Sequence, residues 1–228
     1  MCRWPPTSDP ATDLITSLDH QPVLVVLRPV TPLAAAPTIT QLASLGVRHI
    51  EIAWQSGPSW IRECRELISS FPGISLGAAS VHGPEGLEAA REAGLRYAVS
   101  PVFDPELWRA AGRDLVLVPG VMTPTEIWRA RTLGCRLVKL FPAAALGPHY
   151  WRRLIAPLGA PLPFCIAAGG LGVDDVLPWR AAGVDAVALG ASLGHGAGAS
   201  PALQQLLAAI KQDMRHPKQA DDRCGCLP

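Results

Sequence analysis

PVLVVLRPV, residues 22–30, decides between the two folds open to this chain. From Val23 the run is apolar without interruption, as expected for a parallel strand covered on both faces. A dinucleotide-binding, doubly wound sheet passes from such a first strand into G-x-G-x-x-G. Here the strand passes into Arg28-Pro29-Val30.

Seven further apolar runs begin near His49, Ile74, Tyr97, Leu115, Leu137, Phe164 and Ala186, separated by about one helix of sequence each. Pro105, Pro124 and Pro148 stand near first helical turns, where a missing N–H costs little. Gly46, Gly94, Gly134 and Gly183 stand where helices should stop, just before the next strand. Eight strand–helix units predict an α/β protein, a single-domain (β/α)₈ TIM barrel. The barrel is expected over residues 13–216, with an N-terminal tail over 1–12 and a disordered C-terminal tail over 217–228. Segment 201–216 has the apolar spacing of a closing amphipathic helix.

Twenty basic and nineteen acidic side chains nearly cancel in 228 residues, so no global field favours nucleic acid or an anionic membrane. No apolar stretch is long enough to span a bilayer, and the first residues lack the apolar core of a secretory signal. The expected location is cytoplasmic. Cys64, Cys135 and Cys165 lie singly in strand- and helix-like segments and read as packed, reduced thiols; Cys224 and Cys226 stand in the tail. The histidines His49, His82, His149 and His195 have no metal-ligand spacing and no acidic cluster suits Mg²⁺, so no metal and no cofactor is expected.

In a barrel, chemistry gathers at the C-terminal ends of the strands. Lys139, in RLVKLFP, places an amine inside a strand expected to be buried. Desolvation disfavours the ammonium and leaves the free amine that a Schiff-base nucleophile requires. A solvent-facing lysine at the strand end is the plain alternative. Against it, the chain uses 17 arginines and only three lysines, so an amine here looks chemical, since arginine stays protonated.

Glu51 interrupts Ile50 and Ile52, and a carboxylate there is costly unless paired or facing the barrel mouth. Facing inward beside Lys139, it could serve as acid and base; a structural ion pair is the other reading. The small-residue loops Ala168-Gly169-Gly170 and Gly190-Ala191-Ser192 follow the last two strands, where barrels often hold phosphate on backbone N–H groups. Arg28 ends the first strand and can grip a carboxylate, with Ser80 at the end of the third as a further donor.

These residues resemble the 2-keto-3-deoxy-6-phosphogluconate (KDPG) aldolases, a family of class I pyruvate aldolases with trimeric (β/α)₈ barrels. The resemblance runs from about Gln21 to Leu193 through HIEIAWQS, SLGAASV, AVSPVFDPEL, VPGVMTPTEI, LVKLFPA, CIAAGGL and ALGAS. It implies that Lys139 is the Schiff-base lysine, Glu51 the acid/base, Gly169, Gly170 and Ser192 the phosphate pocket, and Ser80 and Pro101 the pyruvate end. It also implies a homotrimer acting on a phosphorylated keto acid and releasing pyruvate.

Two departures matter. Gln55 stands where the phosphogluconate branch carries a carboxylate-binding arginine, and Ser80 stands for its threonine. Arg28 looks like the strand-one arginine of the related 2-keto-3-deoxy-6-phosphogalactonate (KDPGal) aldolases. Gln55-Ser56 and Gly147-Pro148-His149-Tyr150 resemble that branch as well. KDPG is taken as the first expected substrate, with KDPGal or 4-hydroxy-2-oxoglutarate (KHG) as alternatives. A phosphate-binding isomerase or transferase, and a non-catalytic barrel that binds a phosphorylated metabolite, remain as other readings.

Overall fold

The computed structural model describes residues 9–190 and 201–215. Nine parallel strands form one sheet: β1 (Val23–Leu27), β2 (His49–Ala53), β3 (Ser75–Ala79), β4 (Tyr97–Val99), β5 (Val116–Val118), β6 (Gly120–Val121), β7 (Leu137–Leu140), β8 (Phe164–Ala168) and β9 (Ala186–Leu189). They are ordered β5-β4-β3-β2-β1-β9-β8-β7-β6. Only Pro119 separates β5 from β6, so the two ends of this order meet and the sheet closes as a barrel.

The barrel has eight staves, as the apolar runs predict, and the fifth is cut in two. Proline has no N–H to give to a strand ladder. Hydrogen bonds continue on both sides of the cut: Gly120 N–H donates to the Val102 carbonyl at 3.1 Å toward β4, and Lys139 N–H to the Pro119 carbonyl at 2.8 Å toward β7.

Around the barrel lie α2 (Ala36–Leu45), α3 (Trp60–Ser70), α4 (Pro84–Ala93), α5 (Pro105–Ala111), α6 (Pro124–Thr132), α7 (Tyr150–Arg153), α8 (Ile155–Leu158), α9 (Val176–Ala181) and α10 (Pro201–Arg215). Their ends follow the local sequence. Gly46 and Gly94 take left-handed conformations that close α2 and α4. Thr123 and Glu126 form a reciprocal capping box at the start of α6, an arrangement worth about 1 kcal/mol. In α10, Leu203, Leu206, Leu207 and Ile210 are buried, as its spacing predicts.

α1 (Pro10–His20) begins three residues before the boundary expected at Asp13. Asp9 caps it, accepting from Thr12 N–H at 3.2 Å, and Pro10 occupies its first turn. Leu14 and Leu18 then close the floor of the barrel. The Gln21 side chain ties this helix to the wall, donating to the Gly46 carbonyl and accepting from Arg48 N–H, both at 2.6 Å.

Alternation along the strands separates two apolar layers. Leu24, Tyr97, Val99, Val118, Leu137 and Ile166 fill the interior, while residues such as Val25, Ile50, Val138 and Val187 face the helices. Cys64, Cys135 and Cys165 are free and buried; burial pushes the Cys64 and Cys135 thiols up to about 12. Cys224 and Cys226 lie outside the described residues. Among the described residues no helix is long and apolar enough to cross a membrane.

Gly77 on β3 shows how tightly the interior is fitted. A Cβ built there would stand 2.5 Å from Cε2 and Cζ of Tyr97, so the ring occupies the space that a side chain would need. Gly77→Ala is expected to destabilise the barrel by about 1–3 kcal/mol through overpacking. A thermal melt should show a lower midpoint; an unchanged midpoint would mean that the interior yields easily.

Candidate active site

β2 sends His49 and Glu51 into the barrel, and β7 sends Lys139. Glu51 and Lys139 share the inward face with Tyr97 and Ile166, and their solvent exposure is 1% and 8%. Lys139 Nζ lies 3.9 Å from Glu51 Oε2, an ion-pair distance too long for a hydrogen bond. Oε2 itself is buried without a hydrogen-bond partner. Burial raises the Glu51 carboxyl above the ordinary glutamate range, and the positive charges of Lys139 and Arg28 oppose that rise. The result is a carboxyl able to hold or release a proton beside an amine. Nζ also stands 5.7 Å from the centre of the Phe141 ring, which forms an apolar wall beside it.

Arg28 extends from the end of β1 and donates to Ser80 Oγ at 3.0 Å. Ser80 adopts φ +62°, a left-handed conformation that costs a non-glycine residue about 1–2 kcal/mol. Its carbonyl lies 3.0 Å from His82 Nδ1. Gln55 is exposed, and its amide donates to the Pro29 carbonyl at 2.9 Å, next to Arg28. Gln55 therefore brings no positive charge to the mouth, and Arg28 does.

Pro101 follows β4, and its backbone packs so closely on Gly120 that a Cβ there would lie 2.4 Å from the Pro101 carbonyl carbon. Gly169 and Gly170 follow β8 with φ of +94° and +79°. Added Cβ atoms would meet the Phe141 ring at 2.9 Å and Ala144 Cβ at 2.8 Å, so both conformation and space require glycine. Gly190 follows β9, while Ser192 lies outside the described residues. Tyr150, at the end of the Gly-Pro-x-Tyr element, donates from its hydroxyl to the Met122 carbonyl at 2.7 Å, tying α7 to the loop after β6.

Lys139, Glu51, Arg28 and Ser80 thus gather at one end of the barrel. Phe141 and Tyr97 were not singled out by sequence reasoning. Tyr97 opens an apolar strand and Phe141 follows one, and only their facing relative to Lys139 and Glu51 makes them notable.

A cleft of about 310 Å³ opens at the opposite end, beneath the starts of β3 and β4, between Leu14, Ser17, Ser75, Arg96 and Asp114. The buried amine–carboxyl pair and the Gly169-Gly170 turn, which packs on Phe141, lie at the Lys139 end. Among the described residues, no group of three or more His, Cys, Asp or Glu is placed to hold a metal ion.

The family described as KDPG and KHG aldolase matches residues 14–205. The chain belongs to that family. It is therefore an aldolase, a lyase, built on the barrel described above. Among its relatives is the 2-dehydro-3-deoxy-6-phosphogalactonate aldolase of Escherichia coli K12, 30% identical over 174 residues that cover 75% of this chain and 84% of the relative. The KHG/KDPG aldolase of the same organism is 30% identical over 162 residues, covering 70% and 73%. A solved native KDPGal structure superimposes with a TM-score of 0.71 at 27% identity, covering 94% of this chain and 98% of that one.

Proposed function

We propose that this KDPG/KHG-family aldolase works through an imine on Lys139 and cleaves a 2-keto-3-deoxy-6-phospho sugar acid to pyruvate and glyceraldehyde 3-phosphate, with KDPGal as the preferred substrate. The observation that carries the chemistry is the buried Lys139–Glu51 pair, 3.9 Å apart on the inner wall.

Lys139 Nζ adds to the C2 ketone, giving a carbinolamine. Glu51, as the acid, assists loss of its hydroxyl as water, and the iminium that forms is the electron sink. As the carboxylate, Glu51 takes the proton of the C4 hydroxyl. The C3–C4 bond breaks, its electron pair moves toward the iminium, and glyceraldehyde 3-phosphate leaves. Protonation of the resulting enamine at C3 and addition of water release pyruvate and restore the amine. Gly169, Gly170, Gly190 and Ser192 would hold the phosphate at the far end, where binding energy orients C4 over Glu51 without touching the bond that breaks.

The sequence alone puts KDPG first. Three observations favour KDPGal. Arg28 and not Gln55 supplies the positive charge at the mouth, the Tyr150 element is built into the fold, and the galactonate aldolase of Escherichia coli matches more of both chains than the KHG/KDPG aldolase does. KDPG itself is the second reading, supported by the similarity to the KHG/KDPG aldolase. The two acids differ at one hydroxyl-bearing carbon. Measured pyruvate release should give a kcat/KM at least about tenfold higher for KDPGal. A preference for KDPG would reverse the substrate assignment and leave the imine chemistry standing, whereas binding without pyruvate release from either would support a non-catalytic barrel.

A further inference from the structure

Tyr97 is one of only two tyrosines in the chain and, among the described residues, heads the fully buried side chains in volume. In the strand register Glu51 pairs with Gly77, and Gly77 pairs with Tyr97. The three residues are therefore paired neighbours across β2, β3 and β4 and face inward. Because Gly77 has no side chain, the Tyr97 ring lies across it with Cε2 and Cζ at the crossing, which points the hydroxyl-bearing end toward β2 and Glu51. The Tyr97 hydroxyl and Glu51 Oε2 are both buried, and neither has a hydrogen-bond partner. Phenylalanine would fill the same volume without stranding a hydroxyl, which is costly in an apolar interior.

We propose that Tyr97 is a positioning residue for Glu51: its phenolic hydroxyl serves the carboxylate through one water and holds it toward Lys139. The proposal rests on the reading of Lys139 and Glu51 as the catalytic pair. A donor favours an ionised carboxylate, so Tyr97 would work with Lys139 from β7 and Arg28 from β1 against the burial that raises Glu51. Burial first, and then the Glu51 charge, hold the Tyr97 phenol well above its ordinary range, so it stays a donor throughout the working pH range. Two residues before Glu51 on β2, His49 faces the same interior; burial, aided by Arg48 and Arg96, lowers it to about 4, so it remains neutral near pH 7. Asp13, Arg96 and Asp114 line the floor cleft on the far side of the Tyr97 ring.

Tyr97→Phe should lower kcat about tenfold with little change in KM, and should move the acidic limb of the kcat/KM–pH profile upward by about one unit. A purely structural tyrosine would move the melting midpoint and leave that limb in place. If Tyr97→Phe does not fold, 3-fluorotyrosine at position 97 gives the complementary test. As a stronger donor it should move the limb downward, and an unmoved limb would overturn the proposal. A folded Tyr97→Phe with the wild-type kcat and pH profile would overturn it as well. Pyruvate and borohydride applied to the wild-type enzyme separate the two levels: trapping on Lys139 with an unaffected Tyr97→Phe rejects only the role of Tyr97, and no trapping at all rejects the underlying mechanism.

Discussion

Lys139→Ala is expected to lower pyruvate release by about 10⁴-fold or more while leaving a folded barrel. No other described lysine stands at the mouth: Lys211 is on α10, with its Nζ near Gly46. Loss of the amine therefore removes the electron sink and not merely a charge. Lys139→Arg should be as inactive, since a guanidinium stays protonated and cannot add to a ketone. The fold survives for a reason seen in Glu51. Its proton affinity is already raised by burial, so without Lys139 it takes up a proton and becomes neutral rather than remaining a buried, unpaired charge. Circular dichroism checks folding and a coupled pyruvate assay checks activity. Wild-type turnover in either variant would contradict the mechanism.

Glu51→Gln should reduce kcat by about 10²–10⁴-fold, the range lost with a general acid–base residue, while Lys139 remains able to add to pyruvate. The pH dependence carries a sign. The folded Glu51 carboxyl is raised above 4.5, so the carboxylate that accepts the C4 hydroxyl proton is present only above that raised value. Wild-type kcat/KM should therefore fall with acid earlier than an ordinary glutamate would require, and the variant should lack that limb. Stability runs the opposite way. For a carboxyl raised on folding, its contribution is full below the unfolded glutamate value and is lost as pH rises through the folded one. The melting midpoint of Glu51→Gln relative to wild type should accordingly rise with pH across that window. A wild-type profile flat through this range would contradict the assignment of Glu51.

The fold was legible because its signal is repetitive. Eight apolar runs with glycine stops and first-turn prolines leave few architectures, and the observed strands begin at or next to the expected residues. The split fifth stave was less legible: Pro119 is plain in the sequence, but which hydrogen bonds its missing N–H interrupts depends on the neighbouring strands. The start of α1 had a local signal in Asp9-Pro10, a cap followed by a first-turn proline, and it was masked by polar neighbours.

The candidate site divides in the same way. A charged residue inside an apolar strand has a large desolvation cost, so Glu51 and Lys139 stand out on their own, and the barrel brings them to one wall. Arg28 and Ser80 were legible as residues, but not the bond between them. Tyr97 gave no signal, because tyrosine is an ordinary strand residue. Its interest comes from the space above Gly77 and from the neighbouring Glu51, both properties of the closed barrel.

The central claim is that Lys139 forms an imine with the keto acid, and reductive trapping tests it most directly. Folded enzyme incubated with pyruvate and borohydride, then digested and analysed by mass spectrometry, should carry one stable reduced pyruvyl group on the peptide containing Lys139. Lys139 left unmodified in a sample that still releases pyruvate, or an adduct only on Lys211 or Lys218, would contradict the account.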